Sequence, residues 1–428
     1  MGDATIVLGG GLAGMTASLY CDAPVYESED RVGGVARSET RQGFTFDYGI
    51  HILQTQNKTV LELLEDIGVK FADHNRHAFI YSHRSYTAYP FQVNTAGLPL
   101  KLRLSCLWHF FNRKHEPKPT NYKEWMYRNI GKGFADTFLI PYSEKFWGVD
   151  LREMTFEWTT GRVPKPNIWQ VMRGAIWSKQ TKIGTNVDFR YPITSVGYGA
   201  IAEAFYKKLP EIHLQHRAIE INTAQKNVTF ENGKIVNYDT LISSLPLPKL
   251  IQLCTDVPDN VREAVSHLKT NSIMVVNIGI NRPNISNKHW VHFPEKDESF
   301  FRLSYPFNFA ENVTPPGMSS ISAEVSYSPA SPPDKEQLID QVIEDLIRVN
   351  ALDADAPIVF KDVLTIPYAY CIYDKKRKGA IKSCHDWLKS IDIFPTGRFG
   401  QWTYYWSDEA MLSGKATAKK VLNYRCST

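Results

Sequence analysis

A glycine-rich turn close to the N-terminus restricts the fold more than any other feature of the sequence. The β-branched run Thr5–Leu8 predicts a buried parallel strand, and it leads directly into a Gly-x-Gly-x-x-Gly pattern. In this pattern Gly9 allows the tight turn, Gly11 lets a pyrophosphate approach the backbone, and Gly14 lets the next helix pack close to the strand. Strand, glycine turn and helix in this order predict a dinucleotide-binding βαβ unit.

The helix after the turn opens at Leu12 and Ala13, so its free N–H groups and positive dipole end are expected to face the phosphates. The second strand, Pro24–Glu27, ends on an acid that can accept hydrogen bonds from ribose hydroxyls. Glu27 follows Gly14 by only 13 positions, whereas about 20 are usual. We therefore expect a shortened helix.

A second glycine pair, Gly33-Gly34, follows this acid closely. Such a pair suits FAD, because the chain then passes beside the diphosphate and the ribityl group a second time. FAD is therefore the predicted dinucleotide.

Composition excludes several classes of function. A chain of 428 residues is too long for one ordinary core, and its net charge of +4 is too small for a general nucleic-acid binder. No apolar stretch is long enough to span a membrane, and no secretory signal precedes the glycine turn. The six scattered cysteines form no Cys-x-x-Cys pair, so we expect reduced thiols and no metal site. Together these features predict a cytoplasmic protein without stable membrane insertion and without a nucleic-acid partner.

The order of predicted elements indicates an α/β fold. It comprises a Rossmann-like FAD-binding domain of the glutathione-reductase type, a helical insert and an antiparallel β-sheet substrate domain. The FAD-binding domain is predicted to be discontinuous (1–75 with 195–270 and 390–428), the insert to cover 95–190, and the sheet domain to cover 76–94 with 271–389.

Hydrophobic periodicity predicts the individual elements. The predicted helices are Met15–Tyr20, Thr59–Ile67, Leu104–Phe111, Tyr122–Ile130, Phe134–Phe146, Ile201–Leu209, Lys335–Val349 and Asp408–Leu422. The predicted later strands are Ala218–Asn222 and Val228–Phe230 in a hairpin with an Asn-Gly turn, Asp239–Leu245, Ile273–Ile280, Trp290–Phe293, Phe300–Ser304, Ser320–Ser326 and Lys361–Ile366. We expect the charge run Asp374–Lys378 to be a solvated loop, and Trp108, Trp125, Trp158 and Trp169 to be core or subunit contacts.

The two glycine motifs together resemble those of the flavoprotein superfamily of amine oxidases, protoporphyrinogen oxidases and UDP-galactopyranose mutases. Five further segments, in order along the chain, resemble the UDP-galactopyranose mutase family more closely than amine oxidases. They are Phe46–His51, Tyr89–Gln92, Pro141–Gly148 followed by Gly161–Pro164, Phe293-Pro294 with Phe301-Arg302, and Gly397–Tyr404.

The resemblance implies roles for residues in these segments. The implied FAD-binding residues are Gly9, Gly11, Leu12, Ala13, Gly14, Glu27, Ser28, Gly33, Gly34, Val35, Ala36, Arg37, Tyr48, Gly49, Ile50, His51, Ala218, Gly400, Asp408, Glu409, Ala410 and Met411. The implied substrate-binding residues are Tyr89, Phe91, Gln92, Ser143, Trp147, Arg162, Arg302, Tyr370 and Tyr404. Arg162, Arg302, Tyr370, Tyr404 and His51 are the implied catalytic residues.

The chemistry of these side chains agrees with the resemblance. Two guanidinium groups bind a nucleotide diphosphate better than lysines do, because each can make paired hydrogen bonds to phosphate oxygens. Tyr89 and Phe91 offer flat faces for a base, and Gln92 offers both a donor and an acceptor. Asp408 is expected to cap the last helix, with that N-terminus directed at the flavin.

The activity that the resemblance implies is a flavin-dependent interconversion of pyranose and furanose forms of an NDP-hexose such as UDP-galactose, in cell-surface polysaccharide biosynthesis. In that family N5 of the reduced flavin attacks the anomeric carbon and displaces the nucleoside diphosphate, after reduction of FAD by NAD(P)H or another donor. A homodimer is a candidate assembly.

Three positions depart from the family pattern: Ile50, Ser143 and Trp406. They leave two alternatives open, an FAD-dependent oxidase or desaturase of the amine-oxidase type and a flavin-containing relative without catalysis.

Overall fold

The computed structural model describes residues 4–114, 116–177 and 187–425. The parts of the predicted helical insert at 115 and 178–186, together with Cys426, lie outside the described residues. The fold is mixed α/β, with one parallel sheet and several antiparallel or mainly antiparallel sheets.

The strands described are β1 Thr5–Leu8, β2 Val25–Tyr26, β3 Ser38–Arg41, β4 Phe44–Asp47, β5 Phe71–His74, β6 Ala78–Ser82, β7 Ser85–Ala88, β8 Phe189–Pro192, β9 Ile212–His213, β10 Ala218–Asn222, β11 Asn227–Phe230, β12 Ile235–Asn237, β13 Thr240–Ser243, β14 Thr270–Ile280, β15 Trp290–His292, β16 Arg302–Ser304, β17 Ser319–Tyr327, β18 Ile358–Cys371 and β19 Ile393–Pro395. The helices described are α1 Leu12–Cys21, α2 Lys58–Asp66, α3 Leu100–Phe111, α4 Tyr122–Ile130, α5 Lys132–Phe134, α6 Ile140–Trp147, α7 Ile168–Ile176, α8 Ala200–Tyr206, α9 Leu247–Leu253, α10 Asp259–Ser266, α11 Lys335–Arg348, α12 Arg377–Ser390, α13 Gly397–Gly400 and α14 Ser407–Arg425.

The parallel sheet has the order β19-β13-β1-β2-β9, so its strands come from both ends and the middle of the chain. Its central strand β1 is buried on both faces, as its unbroken apolar sequence predicts. Val7 packs in the same apolar cluster as Ala17 of α1 and Ala418 of α14, while Ile6 and Leu8 belong to the cluster that contains α9 and α12 residues. Helices therefore cover both faces of this sheet.

A larger sheet has the order β18-β14-β17-β16-β15-β6-β7. Its neighbouring strands are antiparallel except β15 and β6, which run parallel, so the predicted antiparallel sheet contains one parallel pair. Alternate residues of β14 face different clusters: Val276 packs with α11, and Val275 packs with the helical segment. The predicted division into domains stays a prediction, although each sheet collects strands from distant segments.

The predicted hairpin is part of a three-stranded antiparallel sheet, β10-β11-β12. Ala218–Asn222 does pair with Asn227–Phe230, but Asn232-Gly233 lies in the turn between β11 and β12. The Asn-Gly pair was thus assigned to the wrong pair of strands. Gly233 has φ +82°, the left-handed conformation that favours glycine in such a turn.

The segment Leu100–Ile176 is mainly helical, and its inner side chains form one aromatic-rich cluster that includes Phe110, Trp125 and Phe134. The helix predicted over Phe134–Phe146 is interrupted, because Ala135–Leu139 forms π-helical turns before α6. Trp125 is buried in the core as expected, whereas Trp108 and Trp169 are exposed.

The charge run Asp374–Lys378 is not a solvated loop throughout, because it leads into α12, a helix that the sequence reading missed. The Asp374 carboxylate accepts hydrogen bonds from the Lys376 and Arg377 backbone N–H groups at 3.0 and 2.9 Å and so caps this helix. The Arg377 guanidinium is buried and donates to the Trp402 carbonyl. The buried stripe of Ala380, Cys384 and Leu388 was hidden by the surrounding charges.

Among the residues described, every helix is too short or too polar to cross a lipid bilayer.

Candidate functional site

The first glycine turn has the geometry of a phosphate cradle, a name we use for Gly9–Gly14 with Glu27 and Gly33-Gly34. Gly9 has φ +96°, a conformation that favours glycine, and a Cβ on Gly14 would lie 2.0 Å from the Gly9 carbonyl oxygen. Around Gly11, by contrast, a Cβ would meet no atom within 4 Å. The first and last glycines thus serve the turn and the packing of the helix, and the middle one leaves open space at the start of α1, where Leu12 and Ala13 lie.

The second glycine pair lies directly against the first. The Gly33 N–H donates to the Gly10 carbonyl at 2.8 Å, and a Cβ on Gly34 would lie 3.5 Å from Gly11 Cα. Gly33 and Gly34 have φ +115° and +55°, and Gly34–Ala36, which contains Val35, forms a 3₁₀ turn. Both predicted glycine segments therefore reach the same point at the carboxyl end of β1.

The acid at the end of β2 is buried beside this cradle. The Glu27 carboxylate accepts hydrogen bonds from the Gly10 N–H at 2.6 Å and from the Ser28 hydroxyl at 3.0 Å. Glu27 Oε2 is thus bonded to the glycine turn itself. Ala218, at the start of β10, packs partly buried in the cluster that contains Tyr26.

A second polar group follows the glycine pair along the chain. The Arg37 guanidinium donates to the Tyr48 hydroxyl at 2.8 Å, and this hydroxyl donates to the Glu39 carboxylate at 2.9 Å. Gly49, with φ +80°, then turns the chain, and a Cβ there would lie 3.2 Å from Glu324. The Ile50 N–H donates to the same carboxylate at 3.2 Å. Glu324 therefore fixes the predicted flavin loop, Tyr48–His51, to the large sheet.

His51 ends this loop and is largely shielded from water. The pKa of its imidazole is lowered to about 4, mainly by burial and also by the positive charges of Arg398 and Arg302, although the contact with the Gly49 carbonyl acts in the opposite direction. Its ring lies 5.3 Å from that of Tyr198. His51 is therefore neutral at pH 7 and faces a region of positive potential.

Arg302 is held by a buried carboxylate on the neighbouring strand. It stands opposite Glu324 in the β16–β17 register, and its Nε and Nη2 donate to the two Glu324 oxygens at 2.9 and 2.7 Å. Burial opposes the charge on Arg302, but Glu324 raises the pKa of the guanidinium above its ordinary value. Arg302 Nη1 donates no hydrogen bond to any of the described residues. It is therefore available to a ligand.

Arg162 is held quite differently, by the segment before α14. Its Nη2 donates to the Tyr404 carbonyl at 2.6 Å and to the Glu409 carboxylate at 2.7 Å. Its guanidinium carbon lies 4.6 Å from the Tyr404 ring centroid and 4.5 Å from that of Trp406. Trp406, a departure from the family pattern, therefore supplies a cation–π contact to this arginine.

The aromatic residues predicted for the site form a continuous group. The Tyr370 ring centroid lies 5.3 Å from that of Tyr404, and both rings contact Trp147 at 5.8 and 5.9 Å. Burial raises the pKa of Tyr370, so its hydroxyl stays protonated at neutral pH and can donate a hydrogen bond. Trp147 itself is 1% exposed, so it packs against the two tyrosines from the core.

A third arginine, Arg398, lies in the segment Gly397–Tyr404 but was not predicted as a site residue. Its guanidinium carbon lies 4.7 Å from the Tyr370 ring centroid and 5.1 Å from that of Tyr404. It donates to the Ala369 and Tyr405 carbonyls, while its buried Nε has no hydrogen-bond partner among the described residues. We call Arg162, Arg302, Arg398, Tyr370 and Tyr404 the arginine site.

Two carboxylates, those of Glu324 and Glu409, were not predicted as partners of the arginines in the arginine site. Glu324 stands in the mostly buried strand Ser319–Tyr327, where a charged residue is itself a sign of a buried partner. Glu409 was predicted to bind the cofactor, but its carboxylate accepts from Arg162 and from the Trp406 N–H at 2.7 Å. Trp406, rather than Asp408, therefore precedes the first turn of α14, and Asp408 lies within that turn.

The remaining predicted site residues divide between the site and the core. Met411 is buried beside Leu12 and Met15, Ala410 continues the first turn of α14, and Gly400 lies against the end of β13. Tyr89 packs 5.1 Å from His292, whose Nδ1 is 2.9 Å from the Tyr142 hydroxyl.

The predicted base-binding segment is not open to a base in this structure. Phe91 is fully buried and stacks on Phe138 at 5.0 Å, because the helical segment packs over it. Gln92 is also buried and donates to the Pro164 carbonyl at 3.4 Å. Ser143 is buried on α6 beside the Tyr122 hydroxyl. All three side chains are thus buried in this structure, and their contact with a substrate stays a prediction.

The cradle fits a dinucleotide on two observations, the open space at Gly11 and the buried acid at the end of β2, and the arginine site adds the unpartnered Arg398 Nε. Backbone N–H groups at a helix N-terminus bind phosphates, and a guanidinium N–H can donate to an anionic or carbonyl oxygen of a ligand. Among the described residues, no group of three or more His, Cys, Asp or Glu side chains is arranged to hold a metal ion.

Comparison with known proteins gives two results. The family model described as flavin-containing amine oxidoreductase matches residues 16–422. A crystal structure of reduced UDP-galactopyranose mutase superposes with a TM-score of 0.93 at 27% identity, covering 99% of this chain and 96% of that one.

Two more distant structures share the fold. An engineered variant of putrescine oxidase has a TM-score of 0.67 at 13% identity, covering 98% of this chain and 99% of that one. An oxidoreductase from Methanosarcina mazei has a TM-score of 0.68 at 13% identity, covering 97% and 100%.

Proposed function

The chain belongs to the flavin-containing amine oxidoreductase family, and on that premise we propose that it is an FAD-dependent mutase. Its substrate would be an NDP-hexose of the UDP-galactose type, interconverted between pyranose and furanose forms. One observation carries the proposal: Arg162 and Arg302, 140 positions apart in sequence, lie around the same pair of tyrosines. The likeness to reduced UDP-galactopyranose mutase over nearly the whole chain supports it.

The phosphate cradle would hold FAD. The N-terminus of α1 would bind the pyrophosphate, Glu27 would exchange its bond with the Gly10 N–H for one with the ribose, and the loop Tyr48–His51 would lie beside the flavin ring. When bound in its reduced form, the flavin would supply the nucleophile for exchange at the anomeric carbon.

The arginines would bind and stabilise the diphosphate as it leaves the sugar. Arg302 is orientated by Glu324 with Nη1 free, so it can donate to a phosphate oxygen without a change of rotamer. Arg162 would have to exchange its contact with Glu409 for the phosphate. We therefore assign Arg302 as the fixed and Arg162 as the exchangeable half of the diphosphate site.

The tyrosines and His51 complete this assignment. Tyr370 and Tyr404 would donate hydrogen bonds to the phosphate or the sugar, and their rings would keep water from the reacting carbon. Neutral His51 adds no positive charge beside the flavin and can accept or donate one hydrogen bond there.

An oxidoreductase of the amine-oxidase type is the second candidate, since the description of the matching family is that of an amine oxidoreductase. Such an enzyme needs hydride transfer to oxidised flavin and has no evident use for two guanidinium groups beside paired tyrosines. The arginine site therefore favours the mutase.

The test compares the two redox states of one preparation. Holoprotein reduced with dithionite, or with NADPH, is incubated without oxygen with UDP-galactofuranose, and the nucleotide sugars are separated by chromatography. We expect UDP-galactopyranose with reduced protein and none with oxidised protein. Absence of conversion in both states, with bleaching of the flavin by an amine in place of it, would establish the oxidoreductase alternative.

A further inference from the structure

Helix α3 presents an apolar stripe to solvent. Leu100, Leu104, Trp108 and Phe111 are spaced four, four and three residues apart, so they lie along one side of the helix. Trp108 is 67% exposed. The opposite side of α3 already buries Cys106 and Phe110 in the core, so this stripe is not needed to fold the segment.

Helix α7 presents a second stripe. Ile168, Trp169, Met172 and Ile176 are exposed, and Trp177 follows directly, while Val171 and Ala175 face the core. Trp169 is 74% exposed.

The two helices are neighbours. The Arg103 guanidinium of α3 donates at 3.1 Å to the Ala175 carbonyl of α7. We call the two stripes together the α3/α7 face. It holds nine of the 17 exposed large apolar side chains in the described part of the chain, so they are concentrated and not scattered.

The segments that carry this face are strongly basic. Residues 95–118 and 165–177 contain seven basic residues against the single acid Glu116, a net charge of +6. The whole chain has a net charge of +4, so the rest of the chain carries −2. The basic residues are Lys101, Arg103, Arg113, Lys114, Lys118, Lys165 and Arg173.

We propose that the α3/α7 face docks on the surface of an anionic lipid bilayer. Exposed Trp, Leu, Ile and Phe on helices that belong to basic segments are the composition of helices that lie in the bilayer interface, where indole rings sit at the level of the headgroups. A second copy of the chain is a poorer occupant. In a two-fold dimer the face would meet itself, and the two segments, net +6 together, would oppose the same two segments of the other copy.

The experiment measures sedimentation of the flavin-containing protein with vesicles of phosphatidylcholine and phosphatidylglycerol in equal amounts, against vesicles of phosphatidylcholine alone. We expect at least tenfold stronger binding to the anionic vesicles. The double variant Trp108→Ser/Trp169→Ser is expected to lose binding at least tenfold, and Lys101→Gln/Arg173→Gln about tenfold.

Matched control variants distinguish binding through the α3/α7 face from nonspecific binding to vesicles. Ile235→Ser removes a 62% exposed apolar side chain on β12, and Lys207→Gln/Lys208→Gln removes two charges after α8, both outside the α3/α7 face. Both controls are expected to bind as the wild type does. Flavin absorbance and far-ultraviolet circular dichroism confirm that each variant is folded.

Two outcomes would overturn the proposal. One is equal binding to the two kinds of vesicle, or binding that the tryptophan variant leaves unchanged. The other is no vesicle binding together with a dimer in sedimentation velocity that Trp108→Ser/Trp169→Ser converts to a monomer, which would make a second copy the occupant.

Discussion

In the phosphate cradle, Gly9, Gly14 and Gly33 bring backbone atoms into contact within one stretch of chain, whereas in the arginine site Arg162 and Arg302 each depend on a carboxylate far away in sequence. The Gly14 position is defined by the Gly9 carbonyl, five residues away. Arg302 and Glu324 are joined only by the β16–β17 register, and Arg162 and Glu409 are 247 positions apart.

The two regions should therefore tolerate amino-acid substitutions differently. At Gly14 the cradle has no room for a side chain, so a substitution there acts through steric overlap with backbone. The arginine site consists of side chains that can be exchanged for others of similar shape, so changes there act through charge and orientation. The following predictions test that contrast, in order of decreasing effect.

The largest effect is expected from Gly14→Val. A Cβ at this position would lie 2.0 Å from the Gly9 carbonyl oxygen, so α1 cannot keep its place against β1. We expect a protein without bound flavin that is largely insoluble, as measured by the ratio of flavin to protein absorbance. Gly379→Val, at a glycine whose Cβ would meet no atom within 4 Å, serves as the control and should retain flavin.

A smaller but severe effect is expected from Glu324→Gln. The change leaves the buried Arg302 charge without its partner and weakens the bond to the Ile50 N–H. Breaking a buried ion pair in this way costs about 3–5 kcal/mol, which should appear as a marked fall in Tm. Arg302→Gln together with Glu324→Gln should recover part of the loss. If the double variant were less stable than Glu324→Gln alone, the ion pair would not be the cause.

A moderate effect is expected from Glu409→Gln. The change keeps the shape of the side chain but removes the charge that holds Arg162, so the guanidinium becomes freer to meet a phosphate. We expect UDP to bind up to about tenfold more tightly, since a hydrogen bond to a charged group is worth roughly 1.5–3 kcal/mol. Asp408→Asn, in the same helical turn, is the matched control. Weaker binding by Glu409→Gln would mean that Glu409 acts with Arg162 and does not compete for it.

The smallest effect concerns pH. The folded protein holds the pKa of His51 at about 4, below its unfolded value, so the unfolded chain binds the extra proton between these two values. Stability is therefore lost as pH falls from about 6.5 toward 4. Between pH 7.5 and 5 the Tm of His51→Gln should therefore fall less than the Tm of the wild type. Equal losses would remove His51 from the account.

The difference between the phosphate cradle and the arginine site also explains which features could be predicted from the sequence. The cradle was predicted with its glycines and Glu27, because local spacing carries all the information that a βαβ turn needs. The short α1 and the strands β1 and β2 follow from the same local pattern.

The arginine site was predicted only through resemblance, and its internal pairing was not predicted at all. Nothing near Arg302 in sequence indicates Glu324, because the pairing arises from strand register. Phe91 and Gln92 were predicted as ligand contacts, and the sequence did not show that the helical segment buries both of them. Helix α12 was missed because its charged start conceals a narrow apolar stripe.

Binding of UDP to the oxidised holoprotein, measured by calorimetry, tests most directly whether the two arginines form one diphosphate site. We predict that the wild type binds UDP, and that Arg162→Gln and Arg302→Gln each bind it at least tenfold more weakly while retaining their flavin. Binding by both variants as tight as that of the wild type, or no binding of UDP by the wild type, would contradict the account.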